Sequence, residues 1–420
     1  MAAEILKPIE CSAQPLDLAF HPTKDILAAA LVDGTVECKI SKKNLCKAII
    51  AVMEKITLTK FLSFFYVVHD YALRMKPPLT AAVSVKGSTT KEDGDVDDND
   101  EEDDTILSSI EVHISDEPKY KIKSEIKADS PSSSCRALLF SEDGKYLYTA
   151  GNGGSLACLN VEQASSYQTS DSSLLWKKDN ASPNGINVLH QITKNSPAGP
   201  LLVTGDDEGV VRFWDVSLCG NSGKNKHAKT KSHDLPEGCI ASFHQQKDYI
   251  TGFATDESGN TLLVSSADGT LVVIDLRKDH VHVQKKGKQP PLQPTVKSGP
   301  FSLLRQSDDQ EDELLSLVVL KGGKKVICGT QNGVLNFWSW GTWGDISDRF
   351  PGHPQSIDAL LKIDEETMLT GSSDGVVRIV QIQPDRLLGV LGDHGGFPVE
   401  KLKVSSFYLP CYICSNNFHK

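Results

Sequence analysis

Leu201-Leu202-Val203-Thr204-Gly205-Asp206-Asp207-Glu208-Gly209-Val210-Val211-Arg212-Phe213-Trp214-Asp215 joins two runs of β-favouring residues through small and acidic residues and a glycine. The runs are five to six residues long and apolar on both faces, which suits strands buried on both sides. Gly209 supplies the positive φ that a tight hairpin turn needs. Thr204 and Gly205, just ahead of the turn, are small enough for a neighbouring strand to pack closely. The stretch predicts strand, tight turn, strand.

The same word recurs along the chain. It is found at 26–36 with Asp33-Gly34, at 146–156 with Gly153-Gly154, at 262–275 with Asp268-Gly269, at 326–338 with Asn332-Gly333, and at 368–380 with Asp374-Gly375. Six copies in one chain mean a repeat architecture. From Gly154 onward the turn glycines are 55, 60, 64 and 42 residues apart. The shortest spacing equals one four-stranded propeller blade of ~40–45 residues, and the longer ones carry looped insertions. The first interval, from Gly34 to Gly154, is too long for one blade and holds something extra.

Several of these words resemble the WD40 family. Trp214-Asp215 closes the third copy as that family's dipeptide does, Ile274-Asp275 is a weakened version, and Trp338-Ser339 a further one. Gly352-His353 stands about twenty residues before Asp374-Gly375, as the family's Gly-His precedes its turn Asp. The resemblance implies a hydrogen-bond chain of His353, Ser372 and Asp374. It reads Asp33, Gly34, Gly154, Gly209, Asp268, Gly269, Asn332, Gly333, Asp374 and Gly375 as turn residues that hold blades together and do not catalyse. The fold class is therefore all-β, a WD40 propeller with six recognisable blades, an incomplete seventh and an irregular insertion.

A narrower resemblance follows from Phe20-His21-Pro22, Cys135-Arg136-Ala137, Asn160-Val161-Glu162, Asp248-Tyr249-Ile250, Ser347-Asp348-Arg349-Phe350, Ser356-Ile357-Asp358 and Pro398-Val399-Glu400, in this order. These words are similar to the WD repeat-containing protein 55 family. That resemblance implies a non-enzymatic scaffold for protein–protein contacts in the nucleus and nucleolus, with the cytoplasm as a second compartment. Its role would lie in ribosomal RNA production and ribosome assembly, with preribosomal factors as partners.

The alternative is a substrate receptor of a cullin-4 ubiquitin ligase, docking the damaged-DNA-binding adaptor through a Trp-Asp-x-Arg box. Candidate adaptor contacts are Trp214, Asp215, Asp275 and Arg277. The box is imperfect, because Ser217 stands where the third blade needs Arg and Ile274 where the fourth needs Trp.

The domain reading assigns 1–48 and 131–404 to one propeller, 49–130 to an insertion and 405–420 to an atypical tail. The chain of 420 residues has 44 Lys and Arg against 55 Asp and Glu, a formal charge of −11. Ten of the carboxylates lie between Glu92 and Asp104, so the remainder is nearly neutral, unlike a protein built to coat nucleic acid. Residues 91–104 are too polar to offset their ordering entropy and are expected to be disordered. The apolar stretch 49–68 carries Glu54, Lys55 and Lys60, which argues against a membrane span. The tail offers one strand from Pro398 and then departs from the family pattern, reading as a variant or truncated C-terminus that leaves the ring short of strands beside Ile5 to Ile9.

Catalytic signals are missing. No Gly-x-x-x-x-Gly-Lys-Ser/Thr run or Gly-x-Ser-x-Gly elbow occurs, so no enzyme, cofactor or small-molecule substrate is expected. The start, MAAEILKPIE, has no charged segment ahead of an apolar one, which speaks against secretion. Ten scattered cysteines fit reduced thiols. Cys411, Cys414 and His419 form only part of a zinc set and are read as chance. Lys224, Lys226, Lys229 and Lys231, then Lys278, Lys285, Lys286 and Lys288, form basic loops without interleaved aromatics. They allow weak RNA contact at most.

Overall fold

Every one of the six repeats folds into a four-stranded antiparallel sheet, with its glycine turn between the second and third strands. The computed structural model describes residues 11–24, 26–40, 122–124, 134–161, 174–193, 200–220, 235–277, 297–298, 300–404 and 411–414. The first sheet holds β1 (Pro15–Phe20), β2 (Ile26–Leu31), β3 (Val36–Ile40) and β4 (Ile122–Ser124). The second holds β5 (Cys135–Phe140), β6 (Tyr146–Gly151), β7 (Leu156–Asn160) and β8 (Leu174–Lys178). The third runs β9 (Ile186–Ile192), β10 (Leu201–Asp206), β11 (Val210–Asp215), the one-turn helix α1 (Val216–Cys219) and β12 (Cys239–His244). The fourth is β13 (Ile250–Thr255), β14 (Thr261–Ser266), β15 (Leu271–Asp275) and, after the two-residue β16 (Lys297–Ser298), β17 (Ser302–Gln306). β16 adds a fifth strand to the third sheet by pairing with β12.

The fifth sheet is β18 (Leu314–Leu320), β19 (Lys325–Thr330), β20 (Val334–Ser339) and β21 (Asp348–Pro351). The sixth is β22 (Ile357–Lys362), β23 (Thr367–Ser372), β24 (Val376–Gln381) and β25 (Arg386–Asp393). These six sheets are the blades of a β-propeller. The second strands are enclosed on both faces: β2, β10 and β23 are buried at every position. The outer strands are more open, with Leu174, Leu175, Leu387 and Leu388 exposed.

The innermost strands form a ring in which β1 touches β5, β5 touches β9, and so on through β13, β18 and β22. A seventh element stands between β22 and β1. It is a two-stranded hairpin of β26 (Lys401–Val404) and β27 (Cys411–Cys414), and β26 contacts both neighbours. The strand expected at the start of a seventh blade is therefore present, and the described residues give that blade two strands. Residues 5–9, expected beside it, lie outside the described residues.

The connection between β3 and β4 places the long first interval inside blade one. β4 pairs with β3, so residues 122–124, read from sequence as insertion, complete the first sheet. The acidic run 91–104, the apolar stretch 49–68, both lysine loops and His419 also lie outside the described residues. No helix among the described residues is long and apolar enough to cross a membrane.

Candidate functional site

Antiparallel order puts the second-to-third-strand turns and the blade-to-blade connections at one end of the ring. The turn glycines mark that end. Gly154 and Gly333 have φ of 70° and 76°, and a Cβ at either would stand 2.0 and 2.3 Å from the carbonyls of Ser182 and His353. Glycine is needed there for two reasons: the left-handed backbone, and the next loop lying directly on the turn. Gly34, Gly209, Gly269 and Gly375 share the positive φ.

The turn acids cap these hairpins. Asp33 and Asp268 each accept from the backbone N–H and the hydroxyl of the Thr two residues on, at 3.0 and 2.7 Å. Asn332 donates its backbone N–H to Asp312 Oδ2 at 3.3 Å. Asp374 accepts from Val376 N and from the forked guanidinium of Arg378 at 3.1 and 2.6 Å. Burial alone would raise its carboxyl, but the Arg378 fork and the amide outweigh that and hold it below the usual carboxylate range.

The expected chain through His353, Ser372 and Asp374 is different in the structure. His353 Nε2 meets Thr370 Oγ1 at 2.8 Å, not Ser372. Ser372 Oγ donates to Gln355 O and accepts from Asp374 N, and the Asp374 carboxylate is taken by Arg378. Thr370 and Ser372 are two apart on one strand face, and the imidazole meets the first of them.

At this same end the innermost strands carry a feature not anticipated from sequence. Each of the six pairs with its second strand through a register shift at the same place. The extra residues are Leu16, Arg136, Asn187, Thr251, Leu315 and Asp358, all half-buried. A β-bulge bends the strand and re-aims the side chain at the bulge. In five of the blades the residue before the bulge is buried: Cys135, Ile186, Ile250, Leu314 and Ile357. Val399 repeats this position in the seventh element. It sits against Gly371 as Ile250 sits against Gly205 and Ile357 against Gly329, which makes Glu400 the seventh residue of the ring.

The ring displays varied chemistry. Arg136 Nη1 donates to Asn187 Oδ1 at 2.8 Å and to Asp207 at 2.9 Å, and Asn187 Nδ2 donates to Asp207 at 2.8 Å. Thr251 Oγ1 donates to Leu314 O at 2.7 Å. Asp358 accepts from Ser373 Oγ at 2.6 Å and Ser356 Oγ at 3.3 Å. Burial pushes the carboxyls of Asp358 and Glu400 upward, and the Asp358 charge adds to the rise at Glu400. In ring order the chemistry runs from Leu16 and Arg136 through the Asn187 amide, the Thr251 hydroxyl and Leu315 to the carboxylates of Asp358 and Glu400. In five of the six first strands a buried residue precedes this position, as in Ile186-Asn187 and Ile357-Asp358, but the bulge itself leaves no mark in the sequence.

The candidate adaptor contacts fall elsewhere. Trp214 is completely buried, packed with Tyr148, Leu202 and Cys219, and its Nε1 donates to Thr204 Oγ1 at 3.0 Å. It is a wedge between blades two and three, not a surface contact. Asp215 accepts from the Ser217 N–H and hydroxyl. Asp275, also buried, grips Arg277 through Nε and Nη2 at 2.8 and 2.7 Å, and the Arg277 side chain is 43% exposed. The third and fourth blades therefore share the Asp and its i+2 partner while differing in what that partner presents.

Among the described residues no group of His, Cys, Asp and Glu comes together as a metal site. Cys38, Cys135, Cys158 and Cys219 are free and buried, and burial pushes each thiol to about 12. Such thiols are inert at neutral pH.

Comparison with known proteins agrees with this geometry. A family profile described as Nucleolar protein 10-like, N-terminal domain, matches residues 109–295. WD repeat-containing protein 55 of Arabidopsis thaliana is 33% identical over 67% of this chain and 65% of its own length. That of Rattus norvegicus is 33% identical over 65% and 57%. WD repeat-containing protein JIP5 of Cryptococcus neoformans is 34% identical over 64% and 61%. The chain thus spans less than two thirds of each of these relatives. It is a WD40-repeat β-propeller that resembles WD repeat-containing protein 55.

Proposed function

We propose that this chain is a non-enzymatic scaffold acting in ribosome biogenesis in the nucleus and nucleolus, where it gathers preribosomal proteins. The observation that carries the reading is the bulge ring. Six bulges in one register, with Glu400 at the matching place of the seventh element, display apolar, cationic, amide, hydroxyl and carboxylate side chains, which is how a rigid repeat frame displays a partner-specific surface. The resemblance to WD repeat-containing protein 55, and the nucleolar description of the matching profile, support the compartment. Affinity purification followed by mass spectrometry tests it, with wild type compared against Arg136→Glu. Preribosomal proteins recovered with wild type and depleted with the variant are expected. A harvest of ligase subunits in their place sinks the reading.

The ligase receptor is a second reading, favoured by one observation. Arg277 is held by Asp275 as a pre-formed, half-exposed donor, the arrangement a docking box requires.

A further inference from the structure

At the end of the ring opposite the bulges, blades five and six enclose an open cleft of about 600 Å³. Its walls come from the turn between β18 and β19, the loop after β20, and the turns that follow β22 and β24. Lys324, Lys325, Ser339, Trp340 and Glu365 line it. The acidic groups nearby are already engaged. Glu366 pairs with Lys321 at 2.9 Å, while Glu365 pairs with Lys362 and accepts the Gly322 N–H at 2.6 Å.

Two ammonium groups remain. Lys325 is half-buried, and its Nζ reaches only hydroxyls, Ser339 Oγ at 2.9 Å and Ser347 Oγ at 3.3 Å. An ammonium has three donors, so a third is available beside two neutral partners. Lys324 is exposed, and among the described residues neither lysine meets a carboxylate. The third wall is aromatic. Trp340 is half-buried, packs edge-to-face on Trp343 at 4.8 Å and 77°, and donates its backbone N–H to Lys324 O at 2.9 Å. The backbone bond ties Trp340 to the lysine turn, and Trp343 braces its ring.

We propose that this cleft binds a nucleotide unit, with its base against the Trp340 indole and its phosphate between Lys324 and Lys325. A lysine ammonium is a point charge suited to phosphate, and an aromatic side chain is a stacking platform for any base. A carboxylate side chain would meet the lysines but leave the indole wall uncovered. The volume lies within the range of small-ligand sites, ~300–1,000 Å³. The lysine runs 224–231 and 278–288 contain no Phe, Tyr or Trp in their sequence. The site is remote from the bulge ring, so it stands or falls independently of partner recognition there.

The test is fluorescence polarisation of a short labelled single-stranded RNA with the full chain, with AMP as competitor. Trp340→Leu is expected to weaken binding by about tenfold or more, the stacking contribution of one base. Lys324→Ala and Lys325→Met together are expected to lower the salt slope by about 0.7, the contribution of the one phosphate they hold on a single strand. Lys324 is exposed, so its variant folds even if Trp340→Leu does not. Competition by AMP identifies a free nucleotide as a ligand, and binding of RNA alone identifies a strand; both support the site. Absence of RNA and AMP binding at low salt overturns it. So does binding unaffected by these variants but abolished by Lys285→Ala with Lys286→Ala, or equal binding of poly-glutamate.

Discussion

The indole N–H of Trp214 donates to the hydroxyl of Thr204 at 3.0 Å in the contact between blades two and three. Trp338 occupies the same register place in blade five, opposite Val326 as Trp214 is opposite Leu202. There the residue corresponding to Thr204 is Cys328, and the buried Trp338 Nε1 has no partner. Blades two and six also carry Thr at this place, as Thr149 and Thr370. A buried donor left unsatisfied costs ~1–3 kcal/mol. Cys328→Thr is therefore expected to stabilise the protein by about 1 kcal/mol, and Thr204→Val to destabilise it by about as much. Urea unfolding of the two variants checks both signs. A destabilised Cys328→Thr would show that the thiol is there for packing.

The strand-turn-strand words were legible because alternation, glycine and an apolar run act locally, and all six fell where hairpins form. The bulge ring was not legible. Arg136, Asn187 and Asp358 sit in strands whose composition says nothing of an extra residue, and the bulge exists only relative to the second strand. The His353 partner was misplaced by two residues because Thr370 and Ser372 share a strand face, so periodicity cannot choose between them. The cleft beside Trp340 joins turns of two blades that sequence order separates, and no spacing rule connects Lys325 to Glu365.

Buried and half-exposed ion pairs of the same type should behave differently here. Arg212 meets Asp206 at 2.6 Å with side-chain exposures of 11% and 1%, whereas Arg136 and Asp207 are exposed by 33% and 38%. Removing one partner of a buried pair leaves an uncompensated charge, costing ~3–5 kcal/mol. A pair near the surface contributes ~0–1 kcal/mol. Arg212→Met is thus expected to lower the thermal midpoint severely, and Arg136→Ala to leave it almost unchanged. Calorimetry of the two variants decides it, and equal losses would count against the burial argument.

Stability should fall as the solution is acidified below neutrality. Burial holds the His353 imidazole down at about 4, with Arg378 adding to the depression and Asp374 opposing it. Its Nδ1 has no partner, so a proton added there finds no acceptor. The unfolded chain takes up that proton near pH 6.5 and the folded chain only near 4, so the contribution is present above 6.5 and lost as pH falls to 4. At 1.36 kcal/mol per unit, the loss is about 3 kcal/mol. Other depressed histidines and carboxylates are common to wild type and His353→Gln, so the difference between their unfolding free energies at pH 7 and pH 4.5 isolates this group. A difference independent of pH would refute the assignment.

Adaptor docking is decided by a few residues of blades three and four. Asp215 spends its carboxylate on Ser217, whose hydroxyl and N–H it accepts, so the third blade presents no cationic donor at this place. Trp214 above it is wholly enclosed and has nothing to offer a partner. In the fourth blade Asp275 orients the Arg277 guanidinium through two bonds and leaves its outer edge to solvent. A hydrogen bond to a charged group contributes ~1.5–3 kcal/mol, enough to weaken a complex by about tenfold to a hundredfold when it is lost. Any binding of the damaged-DNA-binding adaptor is therefore expected to depend on Arg277 and not on Trp214. A pull-down with wild type, Arg277→Ala and Trp214→Phe measures this, with circular dichroism confirming that the Trp214 variant keeps its strands. Binding that survives Arg277→Ala and vanishes in a folded Trp214→Phe would move the contact to the third blade.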